Sequence, residues 1–486
     1  MPAVSSVQLQ NTFTDQLGDL GSPVAVSPFA EPKLLLHSPE TASLLGLASE
    51  FFLQQDAADY LSGKKLWPGS QPFAQKYTGH QFGQYNPDLG DGRGVLLGDR
   101  LGTDLQRYEL HLKGAGRTPY SRFGDGRAVL RSSIREFLAS EAMFHLGIPT
   151  SRALSLVGST EPVRRETTEQ GAMVIRVCQS HIRFGHFEYC FYQGGQQALQ
   201  RLVDFCIQQY FPDCAQASNP AQALLQQVVL RTARLIAQWQ AVGFNHGVMN
   251  TDNMSILGIT FDYGPYAFLD DYQPGYICNH SDHSGRYAFD EQPGVALWNL
   301  NALAHAFSPL VPAEDLRQTL GLYEAELVSS YMQLMAKKLG LDQYRETDRA
   351  LIGRWLALLQ SQKQDYSLSM RRLAQFSADS KATALRDHML DTAAFDLWAD
   401  EYRARLADSA LAEQARVQQI EQHNPLYVLR NYLAQQAISA AEQGNTEPLT
   451  ALFNVLKQPY TEQATQAAFA APPPDWGKSM EISCSS

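Results

Sequence analysis

The chain has 486 residues, 44% of them apolar and 10% aromatic, enough to build two or three domains or one large two-lobed unit. Its 39 basic and 50 acidic side chains give a net charge of −11, which excludes a general nucleic-acid binder needing a broad basic surface. Six cysteines are too sparse for a disulfide scaffold in a chain of this length, and no run approaches the ~18 apolar residues of a membrane span.

The opening MPAVSSVQLQNTF has neither the basic start nor the apolar core of a signal peptide, so a reduced, cytoplasmic protein is expected. Residues 1–70 mix short helical patterns with turns. Glycine is then frequent from 77 to 127, and the tetrapeptide GDGR occurs twice, at 90–93 and 124–127. Between the two copies, RYELHLK (107–113) alternates as a strand with Tyr108, Leu110 and Leu112 on one face, and it ends at Lys113. RSSIREFLASEAMFHLG (131–147) predicts a helix ending at Gly147, and AMVIRV (172–177) predicts another strand.

The pattern changes near 180–195. NPAQALLQQVVLRTARLIAQWQAVGF (219–244) predicts a long amphipathic helix with Asn219 as N-cap and Pro220 in the first helical position. Segments 295–307, 313–339, 347–376 and 425–442 also have helical patterns. The tail AAPPPDWGKSMEISCSS is Pro-rich and then polar, and is expected to be mobile. A β-rich first half followed by a helical second half is the plan of an α+β, protein-kinase-like two-lobed fold.

Several residues along this plan could carry chemistry. HGVMNTDNMSI (246–256) and Asp262-Tyr263-Gly264 have the spacing of a phosphotransferase catalytic loop, His-Arg-Asp, then Asn, then Asp-Phe-Gly. His246 and Asn253 fit that frame, but Val248 stands where the catalytic Asp belongs and cannot take a proton. Asp252 is the nearest carboxylate that could replace it; the alternative is a solvated turn Asp. Asn253 and Asp262 are a candidate Mg²⁺ pair, since that ion takes one or two protein oxygens and completes its shell with phosphate and water. The plain alternative is an Asn capping a turn and an Asp satisfying backbone donors.

Lys113 and Glu136 have the order of the strand lysine and helix glutamate that orient nucleotide phosphates. Against this, Ser133-x-x-Glu136 also matches a capping box. The GDGR loops could let backbone N–H groups approach phosphate, or could simply be tight hairpins. Arg176 and Arg183 suit bidentate phosphate contact or an ordinary surface. Cys278, His280 and His283 could ligate zinc, but no fourth ligand is evident and a polar loop is the better reading. Cys484, three residues from the end, suggests an exposed redox-active thiol, or an incidental surface cysteine.

Four stretches, 113–143, 180–189, GVMNTDNMSILG (247–258) and GYICNHSDHSGRYAFDEQP (275–293), closely resemble the selenoprotein O (YdiU) family, from about residue 60 to the C-terminus. In many eukaryotic relatives selenocysteine stands at the place of Cys484; the cysteine here matches bacterial members. The resemblance implies a pseudokinase with protein adenylyltransferase activity, with ATP flipped in the cleft relative to kinases. AMP would go to Ser, Thr or Tyr hydroxyls of proteins, including the enzyme itself. Lys113, Arg176 and Arg183 would hold the distal phosphates, with Glu136 pairing Lys113. Gly90, Gly92, Arg93, Asp125 and Gly126 would complete the nucleotide site. Asn253 and Asp262 would bind Mg²⁺, with Mn²⁺ as the alternative ion, and Asp252 would accept the proton. The family also implies a regulatory disulfide between Cys278 and Cys484.

On this basis residues 1–70 form an extension on the core, 71–190 a nucleotide-binding N-lobe, 191–390 a C-lobe with the catalytic and metal-binding loops, and 391–486 a helical region and Cys-containing tail. The protein is expected to be monomeric, with no nucleic-acid or membrane partner. The competing activities are γ-phosphate transfer by a kinase and a non-catalytic ATP-binding pseudokinase scaffold.

Overall fold

A computed structural model describes residues 7–377, 385–478 and 480. The described strands are β1 (Gly21–Pro23), β2 (Lys33–His37), β3 (Phe73–Gln81), β4 (Gln84–Gly90), β5 (Gly94–Leu101), β6 (Arg107–Lys113), β7 (Ala128–Val129), β8 (Arg152–Arg164), β9 (Thr168–Cys178), β10 (Phe244–His246) and β11 (Tyr266–Phe268). The first nine form one antiparallel sheet in the order β1-β3-β5-β6-β9-β8-β2, with β4 on β3 and β7 on β9. The last two form a small hairpin in the helical half. The chain is α+β.

The register places the site. Lys113 pairs with Val174 and His111 with Arg176, so Lys113, His111 and Arg176 share one face of β6 and β9. Leu110, Leu112, Ile175 and Val177 point the other way, into a core with Phe51, Phe52 and Trp67 from the first 70 residues. The predicted strand 107–113 is therefore present, with its apolar face inside.

On the charged face lies the helix Leu130–His145, which is buried on nearly every side. Its N-cap is Val129, so Ser133 falls inside the helix and Ser133-x-x-Glu136 is not a capping box. Glu136 is then free to project toward the sheet. Gly147 (φ +78°) turns the chain just beyond the helix, where a side chain would be strained.

The helix Pro220–Val242 forms as the sequence predicts. Asn219 Oδ1 accepts from the Gln222 N–H at 3.1 Å, Pro220 opens the helix, and Gly243 (φ +76°) ends it in the left-handed region. Leu224, Val228, Leu235 and Trp239 all face the core. The predicted 313–339 segment is two helices, Ala313–Leu320 and Leu322–Lys338, and 347–376 is interrupted at Lys363 (φ +50°). The helix predicted over 425–442 starts only at Asn431. Part of the tail expected to be mobile is packed: the Trp476 ring meets Tyr432 edge-on at 6.2 Å, and Lys478 pairs with Asp271 at 2.8 Å. Cys484 lies outside the described residues. Among those residues no helix is long and apolar enough to cross a membrane.

Candidate active site

A cleft of about 850 Å³ opens between the charged face of the sheet and the loops that follow β10. Lys113 is buried at its back, and its ammonium donates to Glu136 from the Leu130–His145 helix. The other Glu136 oxygen accepts from Arg176 Nε. Arg176 Nη1 reaches on to Asp262 Oδ1 at 2.5 Å, and Asp262 Oδ2 accepts from Arg183. One continuous ion-pair chain thus runs Lys113–Glu136–Arg176–Asp262–Arg183 and ties strand, helix and loop together.

The electrostatics follow from this chain. Burial alone would raise Glu136, but Arg176 and Lys113 reverse that and hold its carboxyl down at about 2. Burial, partly offset by Glu136, lowers the Lys113 ammonium to about 8. Asp262 would also be raised by burial, yet Arg176, Arg183 and Lys113 hold it far below the usual carboxylate range. Its φ of +59° places a non-glycine residue in the left-handed region, a strain that the two arginines help to sustain.

Arg183 is fixed by more than charge. Its guanidinium lies 4.6 Å from the centres of both the Tyr77 and Phe261 rings, and it donates to the Asp252 carbonyl at 2.6 Å. Asp252 and Asn253 belong to the short turn Thr251–Asn253. Asn253 Nδ2 donates to the Val248 carbonyl at 3.0 Å, which leaves its Oδ1 available as a ligand. Asp252 Oδ2 accepts from Gln81 Nε2 at 3.1 Å, while Oδ1 is buried with no hydrogen-bond partner. Burial, opposed by Arg183, raises this carboxyl to about 6. Val248 lines the same cleft with an apolar side chain.

An orphaned carboxylate oxygen, an amide oxygen and the Asp262 carboxylate are all hard donors. They fit an oxygen-preferring divalent cation that keeps open positions for phosphate and water. Softer ligands are arranged otherwise: Asp282 accepts from the Arg286 and Tyr287 N–H groups at 3.0 and 2.7 Å and closes the loop holding Cys278, His280 and His283. Among the described residues no group of three or more His, Cys, Asp or Glu side chains could hold a metal. Cys278 is buried, and its N–H donates to Asn245 Oδ1 at 3.2 Å.

The model of the family described as "Protein adenylyltransferase SelO" matches residues 4–457. The chain belongs to the SelO family. The "Protein nucleotidyltransferase YdiU" of Pseudoalteromonas atlantica is 50% identical over 480 residues, covering 99% of this chain and 100% of that one. A Pseudomonas aeruginosa protein of the same name is 50% identical over 486 residues and covers both chains completely. One from Yersinia pestis is 50% identical over 479 residues, covering 99% of this chain and 98% of its own. The likeness therefore also takes in the first 60 residues, where the motifs are weaker. This SelO-family chain is an enzyme, a protein nucleotidyltransferase.

Of the residues singled out from sequence, Gly90, Gly92, Arg93, Lys113, Asp125, Gly126, Arg176, Arg183, Asp252, Asn253 and Asp262 all line the cleft, and Glu136 stands behind Lys113. The glycines answer to packing as well. A Cβ on Gly126 (φ +73°) would stand 2.0 Å from the Gly116 carbonyl, and one on Gly90 would stand 2.6 Å from the Tyr120 ring. Asp125 is held bidentately by Arg165, at 2.8 and 3.1 Å. Sequence reasoning missed Arg165 along with Arg117, Arg122 and Arg164, which also face the cleft, and Gln81; Arg127 it met only as the arginine of the second GDGR. Arg117 and Arg127 stood within the glycine-rich stretch already noted, so their place next to the GDGR turns was a usable signal.

Proposed function

We propose that the chain has the protein-kinase-like two-lobed fold, with residues 71–190 as the nucleotide-binding N-lobe and 191–390 as the C-lobe. Residues 1–70 are then an extension and 391–486 a helical region with the Cys-containing tail. ATP binds in the cleft, and AMP is transferred to Ser, Thr or Tyr hydroxyls of proteins. The observation that carries this reading is the ion-pair chain Lys113–Glu136–Arg176–Asp262–Arg183, ending beside a buried carboxylate, Asp252, with a free oxygen.

In this reading Lys113, Arg176 and Arg183 face the phosphates and neutralise the departing pyrophosphate. Arg176 and Arg183 already share Asp262, so an arriving polyanion competes for cations that are in place. Asp252 takes the proton of the attacking hydroxyl as its oxygen bonds to the α-phosphorus and the bond to pyrophosphate breaks. Asn253 and Asp262 would hold Mg²⁺ or Mn²⁺, which supplies charge neutralisation and polarisation at the phosphates. Val248 supports adenylyl over γ-phosphoryl transfer, because the sequence position of a kinase base carries a side chain that cannot accept a proton. Glycines 90, 92 and 126, with Arg93 and Asp125, frame the opposite wall.

The implied Cys278–Cys484 disulfide belongs to the same reading. Cys278 is buried with its thiol on the Asn245 carbonyl at 3.6 Å, so joining it to the tail would require that thiol to leave its seat. Intact-mass measurement under oxidising conditions, wild type against Cys484→Ser, tests the bond.

The decisive experiment uses ATP labelled at the α- or the γ-phosphate with a cell lysate, followed by mapping of the modified residues. Protein-bound α label on hydroxyl side chains is expected. Transfer of the γ label instead would make the chain a kinase, and nucleotide binding without any transfer would make it a scaffold.

A further inference from the structure

A second cavity, of about 310 Å³, lies on a different part of the molecule and shares no lining residue with the cleft. Its walls come from the turn after the Leu130–His145 helix, the ends of the Pro220–Val242 and Leu322–Lys338 helices, and the end of the Glu413–His423 helix. Leu146, Ile148, Val242 and Leu334 make it largely apolar.

One cation stands in that wall. Lys337 and Lys338 are neighbours at the end of their helix, but Lys337 is exposed and Lys338 is only 5% exposed. The geometry explains why. Gly340 (φ +69°) turns the chain, and a Cβ there would stand 2.7 Å from Arg416 Cγ, so the Glu413–His423 helix packs closely over the lysine. The Lys338 ammonium donates to the His423 carbonyl at 3.1 Å and lies 5.9 Å from the Tyr366 ring centre. Among the described residues its other hydrogens find no acceptor and no carboxylate pairs with it. Burial alone, with no opposing charge, lowers its proton affinity to about 7. Gln238 Oε1, also in the cavity wall, is another buried polar atom lacking a partner.

A buried ammonium without a counter-ion gives up its proton more readily, and an anion supplied from outside favours the charged form again. One of the three ammonium hydrogens is taken by the His423 carbonyl, which leaves two, as many as the oxygens of one carboxylate. The remaining wall is apolar and the volume is at the small end for ligand sites. We propose that this cavity is a binding site for a small organic monocarboxylate, its carboxylate on Lys338 and its chain along Leu146, Ile148 and Val242. An occupant would bridge the turn that follows the Glu136-bearing helix and three helices of the second half.

Octanoate is the probe. Calorimetry with the full-length protein is expected to show saturable one-to-one binding, with a rise in Tm. Octanol should bind at least about tenfold more weakly, as should octanoate to Lys338→Met, each loss being of the size of one charge-assisted hydrogen bond. Should Lys338→Met fail to fold, trace acetylation of the wild-type protein decides: bound octanoate should slow modification of Lys338 about tenfold and leave Lys337 unchanged. Absence of saturable binding, equal binding of octanol, or unprotected Lys338 overturns the assignment.

Discussion

Asp252 and Lys113 are both moved by burial into the range where enzymes work, from opposite directions. The Asp252 carboxyl is raised to about 6, so lowering the pH through that value protonates it and removes the proton acceptor. The Lys113 ammonium is lowered to about 8, so raising the pH through that value removes a charge from the phosphate site. The expected kcat/KM for ATP is therefore bell-shaped, with limbs near pH 6 and pH 8 belonging to the free enzyme. A profile that stays flat from about pH 5 to 9 would remove both assignments. Asp252→Asn separates them: the acidic limb should vanish with a rate loss of roughly 10²–10⁴ while ATP still binds. Retention of near-normal turnover by that variant would return Asp252 to the role of a turn residue.

At the scale of elements, Glu136 couples a helix to two strands. It is 2% exposed and accepts from cations on both β6 and β9. Glu136→Gln keeps the shape but leaves Lys113 and Arg176 facing each other without their shared anion, a loss on the order of 3 kcal/mol for a broken buried pair. Tm should fall clearly, and added ATP or pyrophosphate should restore part of it by supplying the missing negative charge. An unchanged Tm would mean that the helix is docked by its apolar contacts alone. This element also marks the limit of what the sequence could tell. Period-2 alternation reveals the strand of Lys113, and Asn219, Pro220 and Gly243 mark the long helix, because those signals are local. Ser133 and Glu136 satisfy a local rule equally well, and only the position of Val129 as N-cap decides between a capping box and a glutamate turned to the cations of the sheet. The extra cleft arginines were not legible because their place depends on where an element lies: Arg164 and Arg165 sit at the tip of the β8–β9 hairpin, and only the sheet's position over the cleft brings that tip to the site. The β3–β4 hairpin was hidden by glycines and Asn86-Pro87, which are turn formers by composition; here Asn86 pairs with Gly79 and Pro87 falls at an irregularity of the ladder.

For the whole molecule, the distribution of charge matters more than its sum. The chain carries −11, yet its large cleft is lined by nine cationic side chains and four carboxylates. An acidic exterior around a basic cleft repels polyanions everywhere except at the site, and low-dielectric walls concentrate that field. Arg93 is exposed in the cleft and forms no ion pair among the described residues, so its charge can act on an approaching ligand. Salt shortens the reach of such fields to a few ångströms at high concentration. Raising ionic strength from about 50 to 500 mM should therefore increase KM for ATP several-fold while kcat changes little, since buried pairs such as Lys113–Glu136 are screened far less. Arg93→Gln should raise KM at low salt and flatten its salt dependence. Equal slopes for wild type and variant would place the attraction in the buried cations alone, and a salt-independent KM would mean that the cleft recognises its ligand by contact without long-range steering.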